Sequence, residues 1–199
     1  MLETLGRSGL PTCERGGVAI VIGSDGIDQL MQSKGFPDFR WVAGRDVVVE
    51  QWVRFKCTFA CEEFGRNACC PPNTPSVGEC RELFLGYGRI AVIHLRTTRA
   101  EGEDPRIWKH EVNTRFLELE RAAFLAGFYK ALALFPGDCS LCAECVSSRA
   151  DCRNGGSSRP VPEALAVDVY ATVRNVGFPI QVLTDRSQTM NRYGFLLVE

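Results

Sequence analysis

The chain has 199 residues, 45% of them hydrophobic, enough for one sizeable core and too apolar for wholesale disorder. Its 23 Lys and Arg against 24 Asp and Glu give a net charge of −1, with no basic stripe to suggest nucleic acid. No run reaches the ~20 apolar residues of a membrane span, and no secretory start is read, so the ten cysteines point to metal ligation or redox chemistry in the cytoplasm.

In chain order, residues 1–16 read as a polar lead-in and 16–24 (GGVAIVIGS) as a short buried strand. A helix is expected over 24–35, between a Ser/Asp start and a Gly stop, and a loop over 36–44. The segment 46–57 (DVVVEQWVRFKC) reads as the clearest strand. Val47, Val49, Val53 and Phe55 fall on one face, and Val48, Glu50, Trp52 and Arg54 on the other. It would deliver Cys57 to the end of the sheet. The stretch 58–75, rich in Gly, Pro and Asn, is too long for an ordinary connection. Thr74-Pro75 and a capping-box pair, Ser76 with Glu79, open a helix over 76–88. A buried strand over 89–97 follows, completing an expected strand–helix–strand crossover.

Asp104-Pro105 starts the longest helix, expected to reach Phe135, with Ile107, Val112, Phe116, Leu119, Ala123 and Ala126 as its buried stripe. Phe135-Pro136-Gly137 then drops the chain into a cysteine run. Further on, a helix is expected over 162–177 and strands over 178–185 and 193–199. The fold expected is α/β, a mixed sheet of about five strands with helices packed on it and two cysteine-rich metal loops.

The chemistry sits in those loops. Cys139, Cys142 and Cys145 stand at i, i+3, i+6, and Cys152 follows as the obvious fourth ligand. The spacing resembles the ligand run of bacterial-type ferredoxins, in which a curling loop puts successive thiolates on different irons of one cubane. A single zinc, with every ligand about 2.3 Å from one point, fits so short a run less well. The other group is Cys57, Cys61, Cys69 and Cys70. Adjacent cysteines point in different directions, and Pro71-Pro72 stiffens the chain after Cys70, so Cys57, Cys61 and Cys70 are the favoured ligands. Three thiolates leave one iron of a cubane open; Cys69, Cys80 or an outside residue is the alternative fourth ligand. Zinc is more plausible at this group than at the run. The Cys-Pro step that accompanies the fourth ligand of two-cluster ferredoxins stands here at Cys70-Pro71. A crossed arrangement, one group lending a ligand to the other, therefore stays open. Cys13 and Cys80 read as isolated thiols.

Among the remaining polar residues, His94 reads as a satisfied core histidine and His110 and Asp168 as helix-surface groups. Trp41, Trp52 and Trp108 read as core or half-buried. Arg149, Arg153 and Arg159 either offset cluster charge or serve solubility. The Gly23–Gly26 turn lacks the rest of any nucleotide motif.

The segments KCTFACEEFGRNACCPP, ELERAAFLAGFYKAL leading into CSLCAEC, and RPVPEALAVDVYATVRNVGFPI resemble the "predicted metal-binding protein" family, a cysteine-rich domain of unknown function. The resemblance covers roughly 46–199 and leaves 1–45 as an N-terminal extension. It implies metal, of the iron–sulfur kind, at Cys57, Cys61, Cys70, Cys139, Cys142, Cys145 and Cys152. Cys69, just before the Cys-Pro-Pro, departs from the pattern. The function expected is electron transfer by one or two [4Fe–4S] clusters, with a protein redox partner in an anaerobic system. The alternatives are an enzyme using the open iron of a three-cysteine cluster and a zinc-stabilised interaction module.

Overall fold

Four consecutive residues, Ile90 to Ile93, are fully buried, a pattern that fits a strand covered on both faces. In the computed structural model, which describes residues 24–98, 104–185 and 188–199, they begin β2 (Ile90–Thr97) at the middle of a four-stranded sheet. Its neighbours are β1 (Phe39–Val42) and β4 (Met190–Leu197), and β3 (Leu132–Leu134) pairs with the far side of β4. Every pairing is antiparallel; Ile90 faces Val42 on one side and Leu197 on the other.

Alternation along the strands sorts their side chains into two cores. Ala91, Ile93, Ala133 and Leu196 pack against α1 (Ser24–Ser33) and α4 (Pro105–Leu125), through Ile27, Met31, Phe116 and Leu119. Ile90, Val92, Leu134 and Phe195 pack against α3 (Val77–Leu85) and α5 (Val169–Asn175), through Phe84, Val169 and Val173. Gly194 lets the first core close on the sheet. A Cβ there would lie 2.4 Å from the Phe116 ring and 2.9 Å from the Leu134 carbonyl oxygen.

Several sequence expectations give way. The sheet has four antiparallel strands in place of a mixed five, so the parallel crossover is absent among the described residues. Residues 46–57 form no strand in that sheet. Val47 and Val49 are buried in extended chain, with one isolated bridge from Val49 to Val167. From Gln51 the chain becomes α2 (Gln51–Ala60), with Glu50 as its N-cap. Alternation misled because much of this apolar sequence faces water: Trp52 is 46% exposed, Phe55 54% and Phe59 78%. Only Val53 is buried on α2, so Trp52 is not a core residue.

The loop expected over 36–44 contains β1. α4 stops at Leu125, ten residues early, because Gly127 takes φ +105° and the following LAL is claimed as β3 by its partner β4. The helix expected over 162–177 is broken in two. A 3-10 turn, Pro162–Leu165, ends at left-handed Ala166, and Asp168 then caps α5 by accepting from the Ala171 amide at 3.0 Å. Among its described residues, 178–185 forms no strand. The strand expected at 16–24 lies outside the described residues except for Ser24, which opens α1.

Other expectations hold. α1 and β2 fall where expected, and the strand expected over 193–199 is β4, which starts three residues earlier at Met190. Ser76 and Glu79 form a complete capping box at the start of α3. His94 is buried between Asp38 at 2.7 Å and Asn191 at 2.8 Å. Among the described residues no helix is long and apolar enough to cross a membrane.

Candidate metal centres

Both cysteine loops lie where the elements end, and asparagines lock one onto the other. In the first loop, residues 61–75, buried Asn67 accepts from the Cys69 amide at 2.9 Å and offers its own carbonyl to Asn73 at 3.2 Å. It also donates to the Cys139 carbonyl at 3.2 Å, and Asn73 donates to that of Ser147 at 2.9 Å. α4 holds the start of the second loop. Asn113 donates to the Asp138 carbonyl at 3.1 Å, His110 meets the Ser140 carbonyl at 3.0 Å, and Lys109 pairs with the Asp138 carboxylate at 2.7 Å. His110 is thus exposed but engaged with the cysteine loop, not merely solvated.

The clasp brings five thiols around one small cavity of about 20 Å³: Cys69, Cys139, Cys142, Cys145 and Cys152. Three of the sulfurs have N–H donors aimed at them. The Ala68 amide reaches Cys145 at 3.3 Å, the Asn154 amide group reaches Cys142 at 2.9 Å, and the Arg149 guanidinium reaches Cys69 at 3.9 Å. Arg149 also bonds Ser158 and the Gly155 carbonyl, and Ser158 in turn touches Cys152 at 3.5 Å. The Cys69 thiol is held below its ordinary pKa, chiefly by its hydrogen bond with Cys139, and Cys139 is pushed up by the same contact. By volume this is the closed centre of the two, with Cys145 exposed at its edge.

The other three sequence-derived candidates, Cys57, Cys61 and Cys70, line a separate and far larger cavity of about 450 Å³. Its remaining walls come from α4 (Trp108, Lys109), the second loop (Pro136, Asp138), the end of the sheet (Thr97, Met190, Arg192) and Glu163. Burial pushes the Cys57 thiol up, and the charge of Cys61 adds to this. Burial likewise pushes Cys70 up to about 12, with Asp138 adding to it. Glu163 is exposed overall and lines the cavity, where desolvation raises its carboxyl pKa. Without a cation the Cys57 and Cys70 thiols stay protonated at neutral pH, so a metal entering here must displace protons.

The structure thus gathers the seven sequence-derived cysteines into the same two groups the spacing suggested. Cys69 is the surprise. Its side chain joins the Cys139 group, while Cys70, next in sequence, faces the other cavity. Cys80 joins neither; it is a buried residue of α3, with its thiol 3.7 Å from the Pro75 carbonyl. Cys13 lies outside the described residues.

Sequence reasoning missed Asn67, Asn73, Asn154 and Ser158, and the only signal was the Asn and Gly content of the loops. Of the three arginines singled out, Arg149 reaches the closed centre. Arg159 is committed elsewhere, in a shielded pair with Glu120 at 2.6 Å.

The donor set suits a thiophilic metal or an iron–sulfur cluster: eight cysteines divide into five and three, with amides directed at sulfur. No curated protein and no solved structure matches the chain. A family model described as "predicted metal-binding protein" matches residues 40–198. With four-fifths of its length under that match, the chain belongs to the predicted metal-binding protein family.

Proposed function

We propose that the protein carries two [4Fe–4S] clusters and takes part in electron transfer with a protein redox partner, in a reducing, cytoplasmic setting. The convergence of Cys139, Cys142, Cys145 and Cys152 on one cavity with N–H donors at its sulfurs carries this reading. When bound, a cluster there supplies reversible one-electron storage. The chain's own part is to hold the thiolates apart, to direct the Ala68 and Asn154 N–H groups at sulfur, and to set Arg149 against the negative charge. Hydrogen bonds of that kind tune the potential of a thiolate-bound cluster.

The spread of the thiols favours a cluster over a single ion. Among the described residues no three His, Cys, Asp or Glu side chains converge as one ion needs. Four sulfurs on zinc would sit about 3.8 Å from one another, given Zn–S bonds near 2.3 Å. A cubane takes each thiolate on a different iron and tolerates a wider set. Trp52, Phe55 and Phe59, exposed on the helix that carries Cys57, support docking of a partner there.

One observation favours a second reading, an enzyme. The three-cysteine group faces a cavity of about 450 Å³, the size of a small-molecule site. A cluster held by Cys57, Cys61 and Cys70 would leave one iron without a protein thiolate. Lys109, Arg192 and Glu163 line the space where a ligand would sit. Anaerobic purification tests both readings. Brown protein with about eight iron and eight sulfide per chain supports the clusters; an electron paramagnetic resonance signal that shifts when a small molecule is added favours the enzyme. Colourless protein with stoichiometric zinc would overturn both and leave a zinc-stabilised interaction module.

A further inference from the structure

Cys69 faces two spaces. It lines the closed cavity with the other four thiols, and it also lines a second pocket of about 220 Å³ with Asn73, Thr74, Arg149 and Arg159. Four thiolates complete either a cubane or a tetrahedral zinc site, so one of the five is left for other chemistry. The surroundings of Cys69 suit it to that role. Of the three N–H donors directed at sulfur in this centre, the one that meets Cys69 is charged, the Arg149 guanidinium at 3.9 Å. Ser158 and the Gly155 carbonyl hold that guanidinium in place. A partner thiol is also at hand. The Cys69 and Cys139 side chains touch, and the Asn67 carboxamide grips the Cys69 amide at 2.9 Å and the Cys139 carbonyl at 3.2 Å, which fixes the two backbones beside each other.

We infer that Cys69 is a peroxide-reactive cysteine, reached through the second pocket and closed by Cys139 into a disulfide in the metal-free chain. At 5% exposure Cys69 is shut to bulky oxidants, whereas hydrogen peroxide is close to water in size and fits the pocket easily. The steps balance. The Cys69 sulfur bonds to one peroxide oxygen, the O–O bond breaks, and the other oxygen leaves as water with the Cys69 proton. The Cys139 sulfur then bonds to the Cys69 sulfur, the S–O bond breaks, and the hydroxyl leaves as a second water with the Cys139 proton. Two thiols are oxidised and one peroxide is reduced. Arg149 faces the negative charge that passes from sulfur to oxygen in the first step. While the disulfide stands, Cys139 is withheld from any metal. The inference concerns the chain without metal and stands apart from the two-cluster reading.

The test treats the full-length chain, freed of metal by an anaerobic chelator, with one equivalent of hydrogen peroxide, and maps its bonds by mass spectrometry of unreduced peptides. A Cys69–Cys139 link is expected to predominate and to open with dithiothreitol. In Cys139→Ser, which lacks the closing thiol, dimedone is expected to trap a sulfenic acid at Cys69. Arg149→Ala should slow oxidation of Cys69 roughly tenfold, and Arg149→Lys should restore most of the rate. Cys61 and Cys145 are the exposed thiols, so exposure alone would make them react first. First labelling at either, or links scattered among the five thiols, would overturn the inference and leave the iron content of the loaded protein to decide the two-cluster reading. The wild-type link map alone decides the question if a variant fails to fold.

Discussion

The two cysteine centres use the same ligand chemistry and differ in what surrounds it. At the closed centre five thiols share about 20 Å³, and backbone and side-chain N–H groups point at their sulfurs. At the open centre three thiols form one wall of about 450 Å³, and charged side chains of both signs, among them Asp138, Glu163, Lys109 and Arg192, share the lining. The first arrangement has more thiols than a cubane needs and no room for anything else. The second has too few and ample room. Cysteine spacing specifies how a loop groups its thiols; whether a ligand can also reach them depends on the surrounding fold.

The largest expected effect separates the two centres by iron content. Cys142→Ser and Cys61→Ser should each lower iron from about eight to about four per chain, and the double variant should hold almost none. The surplus thiol sharpens the comparison. Cys69→Ser should keep about eight irons because Cys139, Cys142, Cys145 and Cys152 already make four ligands, while Cys152→Ser should fall to about four. If Cys69 substitutes for Cys152, the second figure stays near eight and the five-thiol site is redundant.

Next comes the clasp. Asn67→Ala removes the bonds to the Cys69 amide and the Cys139 carbonyl, both at a buried site. Loss of about 1–3 kcal/mol is expected in denaturant unfolding. Iron should drop at the closed centre first, since the open centre keeps its three thiols.

A pH effect is expected in the metal-free protein. The Cys70 pKa is pushed up to about 12 by burial, with Asp138 adding to it, against 9.0 for a free thiol. Between pH 9 and 12 the unfolded chain has lost this proton and the folded chain keeps it, so stability falls as pH rises. One such group contributes a slope of at most about 1.4 kcal/mol per pH unit, and Cys70→Ser should flatten the wild-type curve in that window. An unchanged slope would show that the open centre does not shield its thiols. The smallest effect lies outside both centres: Ser76→Ala breaks the α3 capping box at a cost of about 1 kcal/mol in thermal or denaturant unfolding, with iron content unchanged.

Local signals were legible where local chemistry decides the outcome. The Ser76–Glu79 box, the Asp104-Pro105 helix start and the apolar first half of β2 were all readable in sequence. α2 was not, because Val47, Val49, Val53 and Phe55 alternate like a strand while the chain is helical from Gln51. Phe55 and Phe59 stack on each other in the open instead of entering the core, so apolar spacing carried no information about burial. The end of α4 was hidden for a related reason. Residues 126–135 continue an apolar helical rhythm, and only pairing of Leu132–Leu134 with a strand some sixty residues later draws them into the sheet.

At the centres, spacing was enough to group seven cysteines. Adjacent thiols pointing apart left a crossed arrangement open, but spacing did not say that Cys69 is the one that crosses, because that depends on how one loop is laid against the other by Asn67 and Asn73. The large cavity was equally invisible. Its walls come from α4, β2, β4 and the 162–165 turn, which are far apart along the chain.

Iron, acid-labile sulfide and zinc measured together on anaerobically purified wild-type protein test the two-cluster reading most directly. About eight iron and eight sulfide per chain, with no stoichiometric zinc, is the expected result. Stoichiometric zinc without sulfide would contradict it.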